Sequence, residues 1–226
     1  MLVLIASPTA GGFSSSGHAA GLVEITRVLH QRGLRYHHRT FDGADQTLAR
    51  NFIANDALAV GADWVLWVES DVRVSGGLVD RMLAEGRDFL ALVPTDAAMD
   101  LDTYARFRTQ GIDPAQARAL STRFGVEHGP RIEVQGGVAE VTSVDFGCIL
   151  MRTTLLQKMR DTGVAPHLVT PKKLLALKLG PDMNLFFERD ADRTLAQGFA
   201  EKVRAVGGKV EVLADGTIVE VEADDE

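Results

Sequence analysis

The sequence predicts an α/β protein built on an open, mostly parallel sheet with helices on its faces. Three observations lead there. Short apolar runs alternate with helically spaced apolar residues over the first 94 residues, an order that requires strands joined by helical crossovers. The run Trp64-Val65-Leu66-Trp67-Val68 is too short for a helix core and too continuous for a half-exposed strand, so it reads as a central strand buried on both faces. Hairpin signals at Gly136-Gly137 and Asp215-Gly216 come only in the second half, which appends antiparallel strands to the sheet.

In chain order, Leu2 to Ala6 is a first strand, and Ser7-Pro8-Thr9-Ala10-Gly11-Gly12 is a loop whose glycines permit close backbone approach to a ligand. Ser14, Ser15 and Ser16 lead into a helix from about His18 to Gln31, with Leu22, Ile25, Val28 and Leu29 at helical spacing and Gly33 as its stop. A strand from Leu34 to Thr40 follows, then a helix capped by Asp45 that carries Leu48, Phe52, Ile53, Ala57 and Leu58. Arg50 and Asn51 fall on or near the polar side of that helix, a position compatible with plain surface residues as well as with a site. After the central strand, Ser75 caps a helix that ends at Gly86, and Phe89 to Val93 is the next strand.

The middle of the chain changes character. Residues 100–124 are helical with a break at Gly111 to Pro114, where Asp113 is the N-cap and Pro114 the first helical residue. Arg131–Val134 and Val138–Val144 form a hairpin. Asp145-Phe146-Gly147 opens the apolar run Cys148 to Met151, which enters a helix over 153–162 through a capping box from Thr154 to Gln157. Thr170-Pro171 starts a short helix that Gly180-Pro181 terminates, with Lys172, Lys173 and Lys178 as the densest basic cluster. Phe186 and Phe187 belong to the core, a long helix spans about Asp192 to Val206, and a last hairpin joins Lys209–Leu213 to Thr217–Val221. The acidic residues 222–226 fray.

Composition narrows the class of protein. With 226 residues, 46% of them hydrophobic, the chain can bury one substantial α/β core without a linker. Met1 to Ala6 lacks a basic region and reads as a strand, not a signal peptide, and no apolar stretch reaches bilayer length. A single cysteine, Cys148, excludes an internal disulfide and a cysteine-based zinc site, so a cytoplasmic setting is expected. The net charge of −7 argues against strong nucleic-acid binding, which needs a basic face.

Chemistry is signalled where the central strand ends, at Glu69-Ser70-Asp71. Ligands of open α/β sheets collect beyond the carboxyl ends of the strands, and carboxylates suit magnesium or manganese, which bridge phosphate oxygens. An acid-x-acid triplet can equally begin a solvated loop, so its surroundings carry the weight. Those surroundings are Arg50-Asn51-Phe52-Ile53-Ala54, Gly61-Ala62-Asp63, Val93-Pro94, Asp145-Phe146-Gly147, and Phe199 with Lys202 ahead of Gly207-Gly208-Lys209-Val210. In this order they resemble the glycosyltransferases of the GT-A fold, in particular the small single-domain, family 2-like enzymes of bacteriophages and bacteria.

The resemblance covers nearly the whole chain and implies one GT-A-like domain over 1–226, with a nucleotide-donor half over 1–94 and an acceptor half over 95–226. It gives Glu69 and Asp71, flanking Ser70, the place of ligands to a manganese or magnesium ion on the diphosphate of a nucleotide-sugar donor. It matches Pro8, Thr9 and Ala10 to the nucleotide-binding turn, Arg50 to the arginine that approaches the nucleotide, and Asp145 with Gly147 to the acceptor side. Acceptors compatible with it are a glycan, a protein or a modified nucleobase.

The chain also departs from the pattern. The family's Glu-Asp pair, one member of which is the general base, falls on Leu195 and Ala196, neither of which can take a proton. One turn earlier lie Asp190 and Asp192, and a helix reaching back that far would put Asp192 on the face of Ala196. The metal-binding triplet begins with Glu69 instead of Asp, and no histidine follows His167 to serve as a further ligand. Three functions therefore compete: a metal-assisted glycosyltransferase, a catalytically impaired nucleotide- or glycan-binding module, and a nucleotidyltransferase, for which no glycine-rich, lysine-bearing loop speaks.

Overall fold

The computed structural model describes residues 1–219 except 10, 13, 44, 130, 131 and 170–181. Ala10, the helix and lysines expected after Thr170, and the acidic tail lie outside the described residues. Among these residues no helix is long and apolar enough to cross a membrane.

The first part alternates as the sequence requires: β1 (Leu2–Thr9), α1 (Ser16–Gln31), β2 (Arg35–Asp42), α2 (Gln46–Ala59), β3 (Trp64–Val68), α3 (Gly76–Glu85) and β4 (Phe89–Met99). Its helices start where a short polar side chain can take an orphan backbone N–H. Ser15 Oγ accepts from His18 at 3.0 Å, Asp45 Oδ1 from Thr47 at 2.9 Å, and Ser75 Oγ from Leu78 at 3.4 Å. Gly33 and Gly86 stop α1 and α3 at φ of +67° and +64°, a conformation that costs glycine nothing sterically.

The second part comprises α4 (Leu101–Thr109), α5 (Pro114–Ser121), β5 (Thr122–Phe124), β6 (Val126–Glu127), β7 (Val134–Gln135), β8 (Val138–Glu140), β9 (Ser143–Val144), β10 (Cys148–Arg152), α6 (Thr153–Asp161), β11 (His167–Val169), β12 (Asp182–Asn184), α7 (Leu195–Ala205) and β13 (Glu211–Val219). The main sheet has the order β2-β1-β3-β10-β4-β13-β8-β7, with β5 on β4. β1 is parallel to β2 and β3, and β13 to β4, whereas β10 runs antiparallel between β3 and β4. The sheet is thus mixed, and β10 ties the two parts of the chain into one layer. β4 runs through position 94, so the expected division between halves falls inside a strand.

Two apolar layers sandwich the sheet. Val3, Ile5, Trp64, Leu66 and Val68 pack with α1 and α3 through Ile25, Leu29, Val79 and Met82. Leu4, Val65 and Trp67 pack on the other face with α2, α6 and α7 through Ile53, Ala57, Leu155, Met159, Phe199 and Val203. Because side chains alternate along a strand, Glu69 continues the Val65–Trp67 series and faces α2.

Four local expectations are corrected. β13 does not turn at Asp215-Gly216: Val212 and Leu213 pair with Ala91 and Leu92, Thr217 to Val219 pair with Val93 to Thr95, and a register shift absorbs the residues between. A long β4 offers a parallel partner for the whole stretch, and a bulge accommodates the extra residues. α5 ends at Ser121 and residues 122–124 join β4 as a strand instead of extending the helix. α6 has no side-chain cap, and the Thr153 hydroxyl donates to the Ala62 carbonyl at 2.5 Å in place of the box from Thr154. α7 begins at Leu195 with Thr194 as its cap: Thr194 and Gln197 bond reciprocally at 3.2 and 2.8 Å, leaving Asp192 outside the helix. The hairpin over Gly136-Gly137 forms as expected between β7 and β8.

Candidate active site

Three connections gather the carboxyl ends of β1, β2 and β3. The Gly12 N–H donates to Asp42 Oδ1 at 2.6 Å and the Gly43 N–H to the Thr9 carbonyl at 3.2 Å, so the β1 loop is held to the end of β2. The Ser15 N–H donates to the Ser70 carbonyl at 2.8 Å, which brings the start of α1 against the loop after β3. The fit is close at Gly21, where a Cβ would lie 2.9 Å from the Val74 carbonyl oxygen. Pro8 and Thr9, expected in a loop, are the last residues of β1 and are buried.

Glu69 lies just past β3 and is buried, with 8% of its surface exposed. Its Oε1 accepts from Arg50 Nη2 at 2.8 Å, and its N–H donates to the Gly147 carbonyl at 2.9 Å. The Arg50 guanidinium carbon sits 4.5 Å from the centre of the Phe146 ring, a cation–π contact. Arg50 Nε is buried without a hydrogen-bond partner, an unused donor on a guanidinium that has five. The surface reading of Arg50 and Asn51 is therefore corrected: they are 4% and 2% exposed. Asn51 Nδ2 donates to the Phe187 carbonyl at 2.7 Å and its Oδ1 accepts from the Phe187 N–H at 2.9 Å, so the amide fastens α2 to the segment leading to α7. The apolar side of α2 is wide enough to face two layers, the sheet and the aromatic cluster of Phe146, Phe187 and Phe199. That is why a pattern read as polar surface is interior.

Asp71 differs from Glu69. It is exposed and, among the described residues, makes no hydrogen bond or ion pair. Magnesium and manganese are commonly held by only one or two carboxylates together with phosphate oxygens, so an exposed carboxylate beside a strand end fits such an ion. Glu69 is already charge-compensated by Arg50, which makes Asp71 the better placed of the two.

Two residues before Gly147 in the chain stands Asp145. Its N–H donates to the Gly125 carbonyl at 2.7 Å, and the residue is exposed. Partial withdrawal of its carboxyl from water, and then the nearby Glu127 charge, hold it above the usual carboxylate range. Glu127 is pinned at both oxygens, accepting from Ser143 Oγ at 2.8 Å and from Gln197 Nε2 on α7 at 2.7 Å. Gly147, buried, supplies the carbonyl that aligns Glu69.

Asp190 and Asp192 are both exposed and both precede α7. Asp190 is bound by the Arg193 guanidinium and donates nothing to the corner; it lines a separate groove with Glu188, Glu201 and Lys202. The Arg193 bond, followed by the Asp192 N–H, holds its carboxyl below the usual range. At the family's acidic positions Ala196 is buried and Leu195 packs against the core.

Sequence reasoning did not single out His18 or His38. His18, 2% exposed, sits in the first turn of α1 against the Glu69 and Val72 carbonyls, with Nδ1 buried and unpaired. Burial lowers its pKa, partly offset by those carbonyls. His38 Nε2 meets Ser7 Oγ at 3.1 Å. The signal available was a histidine three residues after the N-cap serine, on the face that must meet the loop carrying the acids.

Comparison with known proteins bears on the fold. No family model and no curated protein matches the sequence. Among solved structures, a mutant of the Drosophila β-1,4-galactosyltransferase 7 in complex with manganese, UDP-galactose and xylobiose superposes with a TM-score of 0.50 at 12% identity, covering 100% of this chain and 75% of that one. The A197 protein of STIV matches at a TM-score of 0.43 and 11% identity over 98% of this chain and 82% of its own. A glycosyltransferase involved in glycosylation of the major capsid of PBCV-1 matches at 0.37 and 11% over 71% and 64%. The first of these, with the mixed sheet and its helical layers, shows the chain to have the GT-A fold of glycosyltransferases.

Proposed function

We propose that this protein transfers a sugar from a nucleotide-sugar donor to an acceptor hydroxyl, with a divalent cation on the donor's diphosphate at the end of β3. The observation that supports this most is the buried Arg50–Glu69 pair beside the exposed Asp71, which makes no hydrogen bond or ion pair among the described residues. A charged pair withdrawn from water contributes little net stability, and here it borders the strand ends where ligands of open α/β sheets bind. Asp71, with Glu69 behind it, would hold manganese or magnesium; the bound cation would neutralise charge developing on the diphosphate leaving group. Arg50, held against Glu69, supports the phosphate side of the corner, and Pro8 and Thr9 at the end of β1, with Ser70, border the nucleotide. Asp145 and Gly147 border the acceptor.

The impaired-module reading is favoured by one observation, the apolar packing of Leu195 and Ala196 where an acid pair would stand. Calorimetric titration with UDP, GDP, CDP and dTDP, each with and without manganese, tests donor binding. Metal-dependent binding that Asp71→Ala abolishes is the expected result, and metal-independent binding unaffected by that change would refute the site. Release of nucleoside diphosphate from the matching sugar nucleotides then separates an enzyme from a module.

A further inference from the structure

We propose that Asp145 is the general base that removes the proton from the acceptor hydroxyl, in place of the acid pair missing from α7; the inference rests on the transferase reading above. Three independent placements support it. Asp145 begins the three-residue segment Asp145-Phe146-Gly147 whose other two members touch the donor corner: the Phe146 ring under Arg50 at 4.5 Å and the Gly147 carbonyl on the Glu69 N–H at 2.9 Å. The strand that leads into it, β9, is also joined to the start of α7 through Glu127. Ser143, two residues earlier in an extended segment and so on the same side as Asp145, donates to Glu127, which in turn accepts from Gln197 in the first turn of α7. Finally, its side chain makes no hydrogen bond or ion pair among the described residues, and it is exposed, so an acceptor can reach it.

Three other carboxylates of the region are committed elsewhere, and Asp71 is assigned to the cation. Glu69 is bound to Arg50, Glu127 is held at both oxygens, and Asp190 is bound to Arg193. A fixed anion next to a free carboxyl raises that carboxyl's affinity for a proton, as Glu127 does for Asp145. Among the described residues, Glu127 on β6 is the charge that acts on Asp145. Arg50 on α2 and Glu69 after β3 face its neighbours as a mutually neutralised pair, and Gln197 on α7 is uncharged. In the step, the acceptor oxygen bonds to the anomeric carbon as its proton passes to an Asp145 carboxylate oxygen. The bond from that carbon to the diphosphate oxygen breaks, and its electron pair leaves with the nucleoside diphosphate. Asp145 then returns its proton to solvent.

The test measures release of nucleoside diphosphate from UDP-glucose, UDP-galactose and their GDP, CDP and dTDP counterparts with manganese, water serving as acceptor, for wild type, Asp145→Asn and Glu127→Gln. The isosteric Asp145→Asn should lower kcat by about 10²–10⁴-fold while the melting temperature, KM and calorimetric affinity for the nucleoside diphosphate stay as in wild type. Glu127→Gln should keep most of the activity at alkaline pH and extend it to lower pH, because loss of the neighbouring anion makes Asp145 easier to deprotonate. Wild-type kcat in Asp145→Asn, or an acid limb that Glu127→Gln leaves in place, would overturn the assignment of the base and leave the transferase reading standing. Absence of turnover by wild type across the whole panel would overturn the transferase reading itself and the base with it.

Discussion

Replacing Arg50 or Glu69 by methionine tests whether the corner is built as described. Their side chains are 5% and 10% exposed and joined by one bond of 2.8 Å. At an effective dielectric near 20, unit charges at about 4 Å attract by about 4 kcal/mol. Removing either partner leaves the other charged and buried, at a cost of about 3–5 kcal/mol. For a chain of this length each kcal/mol shifts the melting temperature by about 2–4 °C, so each single variant should melt some ~6–20 °C lower. Arg50→Met also forfeits the stack on Phe146, worth about 0.5–2 kcal/mol. The double variant Arg50→Met with Glu69→Met removes both charges, and methionine is adaptable enough to fill the space. It should therefore be more stable than the sum of the singles by about 3 kcal/mol. The assay is urea denaturation of the four proteins, combined into a double-mutant cycle, alongside calorimetry with UDP and manganese. The double variant is expected to recover fold and not ligand binding. Single variants that each cost less than about 1 kcal/mol, the range of solvent-exposed pairs, would refute the buried pair and the reasoning built on it.

Three further outcomes are expected. Burial lowers the pKa of His18 below its ordinary value of 6.5, so on acidification the unfolded chain takes up the proton first. The stability this gives is complete above pH 6.5 and is lost as pH falls from there through the folded value; the exposed His38, lowered likewise, adds a smaller share. Denaturation midpoints should decline over that window in wild type and more shallowly in His18→Asn, and equal slopes would count against the burial of His18. Cys148, fully buried in β10, has its thiol pushed up by desolvation. A thiol reagent at pH 8 should modify it only on unfolding, and modification of the native protein within minutes would contradict its central position. Gly21→Ala places a methyl 2.9 Å from the Val74 carbonyl oxygen and should destabilise by about 1–3 kcal/mol, weakening nucleotide binding by displacing α1 from Ser70; unchanged binding and melting would show that the contact yields freely.

Much of the first part was legible because its determinants are local. A cap serine or aspartate acts on an N–H two or three residues away, and a glycine stop acts on its own φ, so Asp45, Ser75, Gly33 and Gly86 could be read in sequence and are found in place, and of the serines before α1 it is Ser15 that caps. At α7, the expected start near Asp192 gave way to a cap at Thr194. The choice fell to Thr194 because Ala196, Phe199, Ala200 and Val203 must face the core together, a requirement that no window around the cap contains. The hairpin over Gly136-Gly137 formed where the flanking strands had each other as nearest partners, whereas Asp215-Gly216 lay next to a long β4 that took both flanks in parallel.

What the sequence determined by itself is the α/β layering, the position of β3 and the two carboxylates at its end, because strand and helix periods and the chemistry of a strand terminus are properties of contiguous residues. Tertiary structure alone decided what those carboxylates do. Arg50 reaches Glu69 across 19 positions, Asn51 reaches Phe187 across 136, and β10 arrives between β3 and β4 to set Gly147 on Glu69 and Phe146 under Arg50. These partners are chosen by which apolar surfaces close over one another, and that choice leaves Glu69 paired and buried, and Asp71 and Asp145 exposed.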